Sequence, residues 1–441
     1  MRVLLLLAIS LPLLAQAREP YASSYEPRAA EPVVFRNVSV YTGDGATLPP
    51  TDVHIAGGRI VWVGEGPVPA DDVLEIDGTG RWLTPGIIDV HSHLGDYPSP
   101  SVPSTSDGNE MTSPNTAGVW AEHSVWPQDP QFGLALAGGV TTLQILPSSA
   151  NLFGGRGVTL KNVPSRTVAG MKFPGAKQSL KMACGENPKR LYGERKQAPS
   201  TRMGNVAGYR TAWIQAEAYR RKRASEDESK RPDRDLAMET LVGVLDGEIL
   251  VHNHCYRADE MATMIDVASE FGYRITAFHH AVESYKVADM LAREGICSAM
   301  WADWWGFKLE AFDAISQNVA LVEQAGACAI VHSDSARVIQ RLNQDAAKAM
   351  AAARRVGIDI DSGVAWRWIS LNAAKALGID ERTGSIEAGK AADLVLWNRD
   401  PLSVYAKADL VLIDGYTYFD RNGAQPASDF DLEQTVRGGR S

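Results

Sequence analysis

Basic charge is in deficit in this sequence. Lysine and arginine number 44 against 53 aspartates and glutamates, a net charge of −9 at pH 7. That balance argues against nucleic acid or an anionic membrane surface as partner, since both attract clustered cations. Long apolar runs are missing beyond the extreme N-terminus, where no stretch reaches the roughly 20 residues of a membrane-spanning helix. Cysteine is scarce, with four in 441 residues. Cys184, Cys255, Cys297 and Cys328 lie far apart in apolar, strand-like runs. They read as buried thiols, because a chain with a large core does not need disulfide staples. A hydrophobic content of 45% with 22% charged residues excludes a disordered chain.

What is present begins with an export signature. Met1 and Arg2 precede an apolar run from Val3 to Leu14 and then Ala15-Gln16-Ala17, the charged, hydrophobic and small-residue parts of a secretory signal. Residues 1–17 are therefore expected to be removed, leaving a periplasmic or secreted protein.

Residues 30–84 and 381–425 each carry short β-like runs separated by turns, with Gly57-Gly58 as a hairpin turn. Neither is long enough for a stable sheet of its own, so the two chain ends are expected to pair into one small composite β-sandwich. Between them, residues 85–380 alternate strand-like with helix-like segments, the pattern of an α/β fold. The candidate strands are 87–90, 140–145, either 158–160 or 167–170, 179–183, 249–252, 274–278, 296–300 and 328–331. Eight of them predict a (β/α)₈ TIM barrel. Helices are expected over Asp259 to Phe271 and Ala336 to Val356. The polar stretch from Glu186 to Asp235 reads as an insertion over one face rather than core.

Histidine is also scarce, yet seven of the nine fall at the C-terminal ends of proposed strands: His91, His93, His252, His254, His279, His280 and His332. In a barrel that end is the active-site face. His91 and His93 are two apart on one strand and point the same way, so both imidazoles can converge on one ion. Gly154-Gly155-Arg156-Gly157 lacks the lysine and hydroxyl of a P-loop and reads as a turn. Trp301, Trp304 and Trp305 follow the seventh strand and either wall a substrate pocket or pack in the core. Ser333, Asp334 and Ser335 are all suited to cap a following helix.

Leu83-Thr84-Pro85-Gly86-Ile87-Ile88-Asp89-Val90-His91-Ser92-His93 resembles the opening signature of the amidohydrolase superfamily, including its imidazolonepropionase-like branch. Asn372-Ala373-Ala374-Lys375-Ala376-Leu377-Gly378, then Gly384-Ser385-Ile386 and Gly389-Lys390-Ala391-Ala392-Asp393-Leu394-Val395, is similar to the stretch where that family's barrel returns to its small β domain. The likeness covers nearly all of the chain that follows the leader. It implies a divalent metal, zinc foremost, as one or two ions held by His91, His93, His254, His280 and Asp334. His252 and His279 stay open as the alternatives within their pairs, as metal donors or neighbouring groups, and His332 joins them. On the fourth strand the family uses either a carboxylated lysine, here Lys181, or a glutamate, here Glu186. Glu186 is favoured, because Gly185-Glu186-Asn187-Pro188-Lys189 is similar to a run in an uncharacterised subgroup. Arg257 and the three tryptophans are expected to line the substrate pocket.

The activity implied is hydrolysis of a C–N bond in a small peptide-like, N-acyl or cyclic amide by metal-activated water, with Asp334 as general base. C–O or P–O hydrolysis on the same scaffold is an alternative. So is a binding protein that kept the fold and lost catalysis, but that reading needs missing ligands and none is missing. The family often forms dimers or larger assemblies, which implies a homo-oligomer.

Overall fold

The structure is a computed structural model that describes residues 21–64 and 73–423. The expected leader over 1–17 lies outside the described residues. The N-terminal part supplies β1 (Val33–Tyr41), β2 (Thr47–Ala56), β3 (Arg59–Val63), β4 (Leu74–Asp77) and β5 (Trp82–Pro85). Next come β6 (Ile87–Ser92), β7 (Val140–Ile145), β8 (Phe153–Lys161), β9 (Ser179–Ala183), β10 (Leu250–Cys255), β11 (Ala277–His280), β12 (Cys297–Met300) and β13 (Cys328–Val331). Last are β14 (Leu394–Trp397), β15 (Ala408–Ile413) and β16 (Tyr416–Asp420).

Strands β6 to β13 form one sheet in sequence order, wound into a nearly closed barrel with helices outside. Every residue of β6, β7, β9, β11 and β12 is buried. This explains their near-continuous apolar runs, since such strands are covered on both faces. β8 departs from the expected pattern, because it runs antiparallel to both β7 and β9. The connection over 146–152 is too short for a crossover, which takes a dozen or more residues, so the chain can only turn back. Of the two candidates for the third strand, Val158–Leu160 lies in β8, while Val168–Gly170 is a single 3₁₀ turn.

The seam between β6 and β13 is bridged rather than directly paired. Val331 donates its N–H to the carbonyl of Trp368 at 3.2 Å, and Ile88 donates to that of Ile369 at 2.9 Å. Nearer the mouth, the Asp334 N–H donates to the His91 carbonyl at 3.1 Å. Asp89 completes the closure. Its carboxylate accepts from the Ser333 N–H at 3.2 Å and from the Ser333 hydroxyl, which pins the Asp334 segment beside the strand that carries His91.

The chain ends do join, through antiparallel pairing of β14 with β5. They form a single eight-stranded sheet in the order β16-β15-β14-β5-β1-β2-β3, with β4 also on β1, where a sandwich was expected. The reason lies in β1, one edge of which pairs with β2 while the other is shared between β4 and β5, so the hydrogen bonding never breaks into two sheets. Gly57 and Gly58 have φ of +58° and +76°, the two positive values that a tight hairpin turn between twisted strands requires. A side chain at Gly86 would strike Thr141 at 2.0 Å, so β5 hands over to β6 only with glycine there.

Three further expectations are corrected. The segment after Glu186 is not a mere surface insertion, since the helix Arg202–Arg223 buries Tyr209, Trp213 and Ala216 in the main core. The helix expected from Ala336 begins at Leu342 and ends at Arg354. The four cysteines are not free thiols: Cys184 bonds Cys255 and Cys297 bonds Cys328. Each disulfide joins neighbouring parallel strands, β9 to β10 and β12 to β13, a proximity that separations of 71 and 31 residues conceal in the sequence.

Candidate metal centre

The mouth of the barrel gathers imidazoles around one carboxylate. Asp334 Oδ1 lies 3.2 Å from His93 Nε2 and 3.6 Å from His91 Nε2, and its Oδ2 lies 3.9 Å from His280 Nδ1. Ligand atoms of His91, His280 and Asp334 fall within 4.8 Å of one another. His93 Nδ1 is 2.8 Å from the Leu146 carbonyl and donates to it, which leaves Nε2 as the lone pair turned to the cluster. His254 is buried with both ring nitrogens lacking a hydrogen-bond partner, an arrangement that costs free energy unless a ligand completes it.

Two backbone positions here are strained, His280 at φ +68° and Asp334 at φ +49°. Such values are uncommon for residues other than glycine and collect at functional sites where the surroundings hold them. For His280 the hold is a hydrogen bond from its N–H to His332 Nε2 at 3.3 Å. For Asp334 it is the bond to the His91 carbonyl. The side chain of Asp334 is not the local cap, because Ser335 accepts from Arg337 and Val338.

Burial sets the charge state of the cluster. It pushes His91, His254, His279 and His280 well below the ordinary imidazole range, His252 to about 3 and His332 to about 4. These rings are neutral at pH 7 and can offer lone pairs. Lys181 is fully buried, and burial lowers it to about 7. Its Nζ donates to the Pro147 carbonyl at 3.0 Å and stands 3.4 Å from His91 Nε2. Neutral nitrogen donors, one carboxylate and an unsatisfied imidazole form a donor set that fits a divalent cation.

The expected residues separate cleanly. His91, His93, His280 and Asp334 come together, with His254 beside His280, their ring centroids 4.6 Å apart. Lys181 sits against His91. Glu186 is not brought to the histidines. It opens the helix Glu186–Glu194 and lies 3.5 Å from Lys308 Nζ, because Gly185 at φ +82° turns the chain away after β9. His252 and His279 lie behind the cluster, hydrogen-bonded to each other at 2.7 Å. His332 Nε2 contacts His280 Nδ1 at 3.0 Å.

A cavity of about 430 Å³ opens over His93, His254, His280 and Asp334, with Tyr97, Asn109, Ser148, Asn187, Arg190 and Tyr256 among its other walls. The expected pocket residues lie elsewhere. Trp301 stacks on His280 at 4.3 Å and joins Trp304 and Trp305 around a neighbouring cavity of about 380 Å³. Arg257 is bound to Asp259 through two contacts of 2.9 and 3.0 Å and lines a charged cavity with Glu186. Sequence reading missed Asp89, although a lone carboxylate inside a buried apolar strand was a usable signal. It also missed Tyr97, Tyr256 and Arg190, which carry no local signal.

The sequence model of the amidohydrolase family matches residues 82–439. An amidohydrolase named tasK from Hapsidospora irregularis is 32% identical over 439 residues, an alignment that covers 90% of this chain and 44% of that protein. The chain thus spans less than half of that relative's length. An imidazolonepropionase from Acidiphilium cryptum is 24% identical over 388 residues, covering 78% of this chain and 86% of that protein. The crystal structure of an amidohydrolase from Thermotoga maritima is 35% identical and superposes with a TM-score of 0.81, covering 88% of this chain and all of that one. A putative prolidase from Bifidobacterium longum, 18% identical with a TM-score of 0.53 over 92% of this chain and 99% of its own, shares the fold. The chain belongs to the amidohydrolase family.

Proposed function

We propose that this protein is an exported, zinc-dependent amidohydrolase that cleaves a C–N bond in a small peptide-like, N-acyl or cyclic amide. The observation that carries the reading is the convergence of His91, His93 and His280 on Asp334 within 3.2 to 3.9 Å. His254 stands by with both nitrogens unpaired. In this reading His91, His93, His254, His280 and Asp334 hold the metal, and Lys181, free or carboxylated, takes the fourth-strand place that the sequence favoured for Glu186. A divalent metal bound by these residues would supply Lewis-acid polarisation of the scissile carbonyl and would lower the pKa of water from about 15.7 towards about 7.

Asp334 accepts the proton of the attacking water and passes it to the leaving nitrogen. The seam bond from its N–H to the His91 carbonyl keeps its carboxylate aimed into the cavity. Tyr97, Asn109, Ser148 and Asn187 offer polar contacts to a bound amide. Export is supported by the leader-like sequence and by two disulfides, which persist in oxidising compartments. A panel of amides matched to carboxylic esters of the same acyl groups, and to phosphate esters of the same alcohols as those esters, tests the bond assignment. Turnover of the amides above both sets is expected, and turnover confined to either ester set would contradict it.

A further inference from the structure

Three buried histidines form a hydrogen-bonded line behind the candidate metal centre. His252 Nε2 lies 3.1 Å from the carbonyl oxygen of Ala376, and His252 Nδ1 lies 2.7 Å from His279 Nε2. His279 Nδ1 lies 2.9 Å from His91 Nδ1. All three rings are wholly shielded from solvent. Ala376 stands in the last turn of the helix Leu371–Leu377, where main-chain carbonyls lack partners within the helix.

A carbonyl can only accept, and each neutral imidazole has one N–H and one lone pair. The direction of the line is therefore set from its far end. With Ala376 accepting, His252 carries its hydrogen on Nε2 and accepts at Nδ1 from the N–H on His279 Nε2. His279 in turn accepts at Nδ1 from the N–H on His91 Nδ1. What remains on His91 is a lone pair at Nε2, the nitrogen that faces Asp334 Oδ1 at 3.6 Å and Lys181 Nζ at 3.4 Å. The opposite order would set the lone pair of His252 Nε2 against the Ala376 oxygen in a buried site, where an unmade hydrogen bond is costly.

We propose that the line from Ala376 through His252 and His279 fixes the tautomer of His91, holding its Nε2 lone pair toward Asp334 and Lys181. His252 and His279 are thus positioning residues. Nitrogens of His91, His279 and His332 also lie within 4.8 Å of one another. The line assigns His279 to hydrogen bonding rather than to a cation, since both of its nitrogens are engaged by neighbouring rings. The use made of that lone pair rests on the proposed metal site, whereas the tautomer itself can be read without metal.

Nitrogen-15 NMR of the histidine-labelled, metal-free full chain is expected to show His91 with its hydrogen on Nδ1. His279→Gln should keep that state, because an amide can still donate to His252 and accept from His91. His279→Leu fills the space but breaks the line. It should mix the tautomers and weaken zinc binding about 10- to 100-fold in competition with a chelator, the usual cost of losing an orienting partner. A packing role alone predicts the reverse ranking of the two variants. A wild-type His91 with its hydrogen on Nε2 overturns the proposal, and so does His279→Gln losing zinc as fully as His279→Leu. A wild type that binds no zinc yet shows the stated tautomer supports the line and overturns the metal site instead, so the two failures are distinguishable.

Discussion

At the scale of residues, Asp334 is the position whose role the geometry isolates. Ser335 takes the capping bonds, so Asp334→Asn leaves the cap in place while removing both the proton acceptor and a carboxylate of the candidate metal cluster. Asparagine also tolerates the left-handed backbone at this position. Turnover of a C–N substrate is expected to fall about a hundredfold or more, with the thermal midpoint unchanged, and steady-state kinetics with a thermal melt check both. Near-normal turnover would make the residue structural. Residue patterning left the histidines as pairs, and the preference for His254 and His280 rested on the family resemblance alone. In β10, His252 and His254 share a face, and period-two patterning cannot say which lies deeper. The barrel settles depth: His252 is level with Lys181 and His254 with Ala183, one step nearer the mouth. The place of Glu186 was not legible for a different reason, since a glutamate just past a strand end looks well placed until the turn at Gly185 carries it towards Lys308.

At the scale of elements, the strands were legible because buried parallel strands are apolar throughout, while the direction of β8 and the disulfides were not. Direction depends on the length of a connection whose ends were uncertain. Disulfides depend on which strands become neighbours. The bond from Cys184 to Cys255 ties the end of β9, which carries Lys181, to the residue after His254. Cys255→Ala is expected to cost roughly 2 to 4 kcal/mol of stability, on the scale of a long closed loop, read from denaturant unfolding. Thiol titration of the unreduced, denatured wild type should find no free thiols. Four free thiols would contradict the pairing.

At the scale of the whole molecule, the buried imidazoles give the metal-free protein a predictable response to acid. Folding holds His252 at about 3 and His332 at about 4, and His91, His254, His279 and His280 well below the ordinary range, with burial the leading cause in each. The unfolded chain takes up protons on these groups near pH 6.5, while the folded chain does not. On these six rings the unfolded state binds more protons below pH 6.5, a contribution that lowers stability as pH drops towards 4, opposed by the buried carboxyls of Asp89 and Asp96, which burial raises. Melts of the metal-free protein between pH 7.5 and about 4.5 should show this contribution, which His252→Gln should make smaller. An identical slope in the wild type and His252→Gln would show that this ring is not buried in neutral form. The measurement that bears most directly on the account is the metal content of the purified protein by mass spectrometry, before and after zinc is added and excess removed. The wild type is expected to hold at least about one equivalent of transition metal, Glu186→Gln to match it, and His280→Ala to lose most of it, as open sites do when one imidazole is missing. Less than about half an equivalent in the wild type even after added zinc, or full retention in His280→Ala, would contradict the metal centre on which the proposed hydrolysis depends.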